Sequence, residues 1–307
     1  MGRRPLRSHD EGRARHGHTS RALVLALGLV GVLSLAGCGQ DAQFGYLPIK
    51  DKNTTNQTSM IVDIWNGSWI AALLVGVLVW GLMIWCVVVY RRRRGETGMP
   101  AQVRYNIPLE ILYTVVPLFM VAVLFFYTAR DETALLDTKP HPDVTVNVVG
   151  KQWSWDFNYV EAKTYESGTQ AELTGKPGVQ KTLPTLYLPV NKRTEFVLTA
   201  RDVIHSFWVP QFLQKLDMIP GKVNRFEVVP TETGLFQGKC AELCGAYHSQ
   251  MLFQVRVVSQ QDYEAHLAQL RAAGNIGALD NSLSREPIEK QQQQFVPSAA
   301  AATGSSN

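Results

Sequence analysis

Three uncharged apolar runs, followed by a long stretch of alternating apolar and polar residues, organise this chain. The first run, Ala22 to Ala36, is too short to cross the hydrocarbon core of a bilayer comfortably. The second, Trp69 to Tyr90, is long enough. The third, Ile111 to Ala129, contains Pro117, which a helix in lipid tolerates. Beyond Arg130 the period changes. Asp143–Val149, Thr185–Leu188, Thr194–Leu198, Asn224–Val229 and Leu252–Val258 alternate and are rich in β-branched residues, so each predicts a strand. Pro184, Pro189, Pro220-Gly221 and Gly234 punctuate them. The polar, Gly-containing segment Glu161 to Lys181 predicts a surface loop, and Gln260 to Ala272 a short terminal helix. From Gly274 onward, Gln291–Gln294 and Ala299–Ala302 mark low complexity, so 274–307 is expected to be a disordered tail. Too little chain remains to bury the two long runs in a protein core. The pattern therefore predicts a transmembrane helical hairpin over 67–130 and an all-β domain over 131–273.

Charge sets the orientation. Arg91-Arg92-Arg93-Arg94 lies between the two long runs, and the positive-inside rule places that turn in the cytoplasm. The segment 38–66 and everything after Arg130 then face outward. The first apolar run follows Arg3, Arg4, Arg7, Arg13, Arg15 and Arg21, the basic start of a secretory leader. It ends in Leu35-Ala36-Gly37-Cys38, which resembles a bacterial lipobox, so 1–37 is expected to be cleaved and Cys38 to carry lipid. The net charge of +4 comes from the leader and the membrane flanks. Residues 131–275 hold fourteen basic and sixteen acidic side chains, with no footprint for nucleic acid.

The chemistry is concentrated in Cys240-Ala-Glu-Leu-Cys244-Gly-Ala-Tyr-His248-Ser-Gln-Met251, with His205 upstream. Thiolate, thioether and imidazole together are the soft donor set that selects copper. Two cysteines four apart can bridge two ions and leave a histidine for each. A mononuclear blue-copper site has one cysteine fewer. A Cys240–Cys244 disulfide is the plainer alternative in an oxidising compartment. Structural zinc has little use for methionine. One upstream histidine plus a ligand-rich loop between the last two strands is a cupredoxin arrangement. No Cys-x-x-Cys-His heme motif is present, so an electron held here passes to another chain.

Four segments resemble cytochrome c oxidase subunit II. They are Gln152-Trp-Ser-Trp-Asp-Phe157, Asp202-Val-Ile-His205-Ser-Phe-Trp-Val-Pro210, Leu216-Asp217-Met-Ile-Pro-Gly-Lys-Val-Asn-Arg225 and the Cys240–Met251 loop. The resemblance covers residues 60 to 270. It implies a bacterial, two-span membrane subunit with a cupredoxin-like Greek-key barrel on the outer face. It further implies a binuclear copper centre of the CuA kind. Cys240 and Cys244 would bridge, His205 and His248 would each take one copper, and Met251 and the Glu242 carbonyl would be weaker ligands. The Glu242 carboxylate would face a magnesium or manganese ion shared with the catalytic subunit. Trp153 would receive electrons from cytochrome c, with Asp202, Asp217 and Glu232 helping to dock it. Glu110 would stand at the mouth of a proton channel. The implied partners are heme-bearing subunit I, subunit III and a cytochrome c, in a complex that reduces oxygen to water and moves protons. A copper-delivery protein needs no two-span hairpin together with Glu110 and Trp153. A quinol-oxidase subunit II lacks the Cys/His/Met set, and a nitrous-oxide reductase needs a large propeller that this chain cannot hold.

Overall fold

A computed structural model of the chain describes residues 39–49, 53–92, 95, 97–99, 102–171 and 182–279. The leader, Cys38 and the tail beyond 279 lie outside the described residues. The chain divides into two units at Tyr46. The described part of the first contains one helical turn, Gln40–Gln43.

The second unit begins with two long helices, α1 (Thr58–Val89) and α2 (Ile107–Leu136). At 1.5 Å per residue they are about 48 and 45 Å long, against a hydrocarbon thickness of about 30 Å. Both are long and apolar enough to cross a membrane, and their most apolar stretches are unburied. They outrun the predicted spans chiefly at the end that meets the β domain. α1 starts eleven residues before Trp69, and α2 continues seven past Ala129. Tertiary contacts, invisible to a hydropathy reading, hold these extra turns. The Asn56 N–H donates to the Val229 carbonyl at 3.0 Å, and the Val229 N–H donates to Asn56 Oδ1 at 2.8 Å. Just past α2, the Lys139 N–H donates to Glu227 Oε1 at 2.9 Å.

Ten strands follow among the described residues. They are β1 (Val144–Lys151), β2 (Ser154–Tyr159), β3 (Thr164–Ser167), β4 (Thr185–Pro189), β5 (Thr194–Ala200), β6 (His205–Val209), β7 (Gln214–Met218), β8 (Asn224–Val228), β9 (Gly234–Cys240) and β10 (Leu252–Val258). They form two five-stranded sheets, ordered β3-β2-β1-β5-β8 and β4-β10-β9-β6-β7. Most neighbours are antiparallel, but β1–β5 and β4–β10 run parallel because the chain passes repeatedly between the sheets. This is the expected all-β domain after a helical pair. Its core is aromatic: Trp155, Phe157, Phe196, Phe207, Phe226 and Phe253 are all buried. Phe253 stacks on Phe207 at 4.9 Å and meets Trp155 at 5.0 Å. Truncating one such ring to alanine costs about 3–5 kcal/mol.

Two expectations change. The predicted loop Glu161–Lys181 contains β3, because Thr164–Ser167 complete an antiparallel ladder with Tyr159–Asp156. The predicted tail is ordered at its start. Ile276 bridges to Thr164, and the Leu279 N–H donates to Asn158 Oδ1 at 2.8 Å. The final helix, α3 (Gln260–Ala272), has the predicted bounds. Ser259 caps it by accepting from the Asp262 N–H.

Candidate metal centre

Three central strands of the second sheet bring the donors together. His205 opens β6, Cys240 closes β9, and Met251 stands just before β10. β6 and β9 pair antiparallel with Phe207 opposite Cys240, so His205 projects beside the end of β9. The Ala241 N–H donates to the Ser206 carbonyl at 3.1 Å, and the Cys240 N–H to the Met251 carbonyl at 3.0 Å. The Trp155 indole N–H also reaches that carbonyl, at 3.3 Å. The loop 241–251 is thereby folded back over the aromatic core. Gly245 lies at φ +129°, a conformation that other residues rarely adopt.

The donor atoms converge. The ligand atoms of His205, Cys240 and Cys244 lie within 4.8 Å of one another, and all three residues are buried. Cys240 Sγ and Cys244 Sγ are 3.9 Å apart, and neither is in a disulfide. His248 Nδ1 is 3.6 Å and Met251 Sδ 3.7 Å from Cys244 Sγ, while the Glu242 carbonyl oxygen is 3.2 Å from Cys240 Sγ. Each of the six expected donors thus lies within 3.9 Å of at least one of the two sulfurs. Two soft sulfurs 3.9 Å apart, with an imidazole nitrogen near each, are donors of the type copper takes.

The His205 ring has a fixed orientation. Its Nε2 lies 2.8 Å from Asp202 Oδ1. A carboxylate only accepts, so Nε2 carries a proton, and Nδ1 is the nitrogen turned toward the sulfurs. Nδ1 faces Cys240 Sγ at 3.9 Å. The buried ring would on burial alone lose basicity, but Asp202 and Cys240 outweigh burial and raise it. For Asp202, likewise, burial is outweighed by hydrogen bonds from His205, Gln152 and Val203, which lower its pKa. The two thiols separate. Burial pushes both upward, yet the hydrogen bond with His205 brings Cys240 below its ordinary value, while Cys240 drives Cys244 further up.

Other expected residues sit at different distances from this cluster. Trp153 is half-buried on the two-residue turn between β1 and β2, its ring edge-on to Tyr247 at 4.9 Å. Its buried indole N–H has no hydrogen-bond acceptor among the described residues. The Glu242 side chain is exposed. Asp217 is exposed and pairs with Ser206 across β6 and β7. Glu232 precedes β9, whereas the ligand loop follows it, so the length of that strand separates the two. Glu110 lies in the first turn of α2, at the end away from the β domain, where its carboxylate accepts from the Asn106 N–H at 3.0 Å.

Three contributors escaped sequence reasoning: Gly150, Gln152 and the inward role of Asp202. A Cβ on Gly150 would stand 2.9 Å from His205 Cδ2 and 3.1 Å from Cγ. The imidazole, fully buried and held by Asp202, has no room to retreat. Gly150→Ala is therefore expected to weaken copper retention by about 10–100-fold while the domain stays folded. Metal analysis after dialysis against a chelator checks this. No periodicity marks such a glycine, because its role is to leave space.

A family profile described as cytochrome c oxidase subunit II, periplasmic domain, matches residues 144–258, the span from β1 to β10. A probable cytochrome c oxidase subunit 2 of Streptomyces avermitilis is 48% identical, over 78% of this chain and 84% of the relative. The cytochrome c oxidase subunit 2 of Mycobacterium bovis is 33% identical, over 87% and 85%. The crystal structure of the periplasmic domain of subunit II of cytochrome oxidase from Bradyrhizobium japonicum is 31% identical. That alignment covers 44% of this chain and 99% of the other, with a TM-score of 0.39.

Proposed function

Because the chain belongs to the cytochrome c oxidase subunit II family, we propose that it is the electron-accepting subunit of a respiratory heme-copper oxidase. The observation that carries this reading is the convergence of His205, Cys240, Cys244, His248, Met251 and the Glu242 carbonyl. When bound there, a pair of coppers supplies a carrier that shares one electron over both ions and so changes geometry little on reduction. The chain's own residues do the rest. Cys240 and Cys244 would supply the thiolates that hold the pair. Asp202 holds the His205 ring with Nδ1 available. The Trp155, Phe207 and Phe253 floor excludes water. Trp153, on the turn above the loop, accepts the electron from a cytochrome c. Asp217 offers an exposed carboxylate for a lysine-rich donor, and Glu232 adds to the docking field at longer range, effects felt mainly in the association rate. The Asp202 carboxylate is occupied inwardly, so its docking contribution is through charge.

We place α1 and α2 across the bacterial cell membrane, the β domain outside, and subunits I and III against them. Glu110 would serve proton uptake from the cytoplasmic side. The mature chain would start at a lipidated Cys38. The exposed Glu242 carboxylate would complete a magnesium or manganese site at the boundary with subunit I, oxygen ligands being what such hard cations take. Glu242→Gln should then reduce manganese in the complex about tenfold without changing copper, read by metal analysis of the purified complex.

The functional reading is tested by isolating the complex through a tag on this chain. Co-purification of heme, with oxygen uptake driven by reduced cytochrome c, is the expected result. A heme-free chain that hands copper to an acceptor protein would contradict it.

A further inference from the structure

We propose that Gln152 is a positioning residue that braces the ligand loop against the His205 side of the centre and fixes the Trp153 turn in the same stroke. This rests on the copper reading above. Gln152 is exposed, yet both its polar ends are committed. Its backbone N–H donates to Asp202 Oδ2 at 2.7 Å, and its side-chain Nε2 donates to the Cys244 carbonyl at 2.7 Å. The other Asp202 oxygen accepts from His205 Nε2. A closed circuit results: His205, Asp202, Gln152, Cys244, and back across the sulfurs to Cys240 and His205.

The circuit joins parts that are far apart in sequence. Gln152 and Trp153 form the two-residue turn between β1 and β2, in the other sheet from the copper strands. Without the Gln152 amide, the Cys244 carbonyl loses this donor and the loop keeps its ring contact with Trp153 but not its hydrogen bond to that turn. Gly245 supports the assignment independently. A Cβ there would stand 3.1 Å from both Gln152 Nε2 and the Trp153 ring, so the loop is shaped to admit the pair closely. The consequence falls on Cys244 Sγ, whose position sets the geometry of one bridge. Partners that orient ligand residues commonly change metal affinity by about 10–100-fold.

The test uses the purified oxidase complex. Gln152→Met keeps the length of the side chain and removes the donor. Its copper should be stripped by a chelator about tenfold faster than that of the parent, with an altered EPR hyperfine pattern and both coppers present at the start. Gln152→Lys keeps a donor at similar reach and should return the stripping rate to near the parent's. Equal rates and spectra in parent, Gln152→Met and Gln152→Lys would overturn the proposal. So would equal copper loss in both variants, which would mark the turn as generally structural. If the parent itself holds no copper pair, the underlying copper reading fails instead, and the parent's own stoichiometry separates the two failures.

Discussion

Cys240→Ser is expected to leave the assembled protein without its copper pair and without turnover from cytochrome c. One remaining thiolate cannot bridge two ions in the way that two can, and serine oxygen is a hard donor poorly suited to copper. The loss should not be an unfolding effect. Cys240 is 5% exposed at the end of β9, and a buried serine hydroxyl left unsatisfied costs about 1–3 kcal/mol. The core beneath it, with Trp155, Phe207 and Phe253 intact, is expected to hold the fold. Circular dichroism should match the parent while copper per chain and the visible bands collapse. Retention of the parent's copper content and spectrum would remove Cys240 from the centre.

Trp153→Ala is expected to slow oxidation of cytochrome c by orders of magnitude while leaving the copper spectrum unchanged. Trp153 supplies no metal-binding atom. Its ring lies against the ligand loop, edge-on to Tyr247 and close to Gly245. Its indole N–H meets no acceptor among the described residues. Injecting electrons with a small photoreductant bypasses the ring and should restore fast onward transfer to heme. Trp153→Phe keeps an aromatic in place and separates lost packing from lost transfer. Copper loss in the alanine variant, or slow transfer after photoreduction, would make Trp153 a packing residue.

Much of this molecule is legible in the sequence because two of its signals are strong. Charge-free runs mark α1 and α2, and β-branched alternation marks β1, β4, β5, β8 and β10. The other strands have weaker local signatures. β6 opens with a polar pair, His205-Ser206, whose burial comes from ligand placement and sheet pairing. β7 carries Lys215 and Asp217 on one face, β9 carries Gln237 and Lys239 on one face, and β3 has only four residues. The ligand set was readable as a cluster of donor types. Its support was not. Gly150 acts by omission, Gln152 looks like any surface glutamine, and Asp202 reads as a solvated acid until the hydrogen bond to His205 Nε2 is seen. Glu232 shows the converse: a carboxylate a few residues before the ligand loop in sequence is held away from it by the strand between.

The most direct test of the account is the copper stoichiometry and EPR spectrum of the full-length chain, purified in detergent and loaded with copper. Two coppers per chain are expected, with a hyperfine pattern from one electron shared over both ions and a purple colour. A single copper with a blue mononuclear spectrum, or a chain isolated with Cys240 and Cys244 joined in a disulfide and no copper bound, would contradict it.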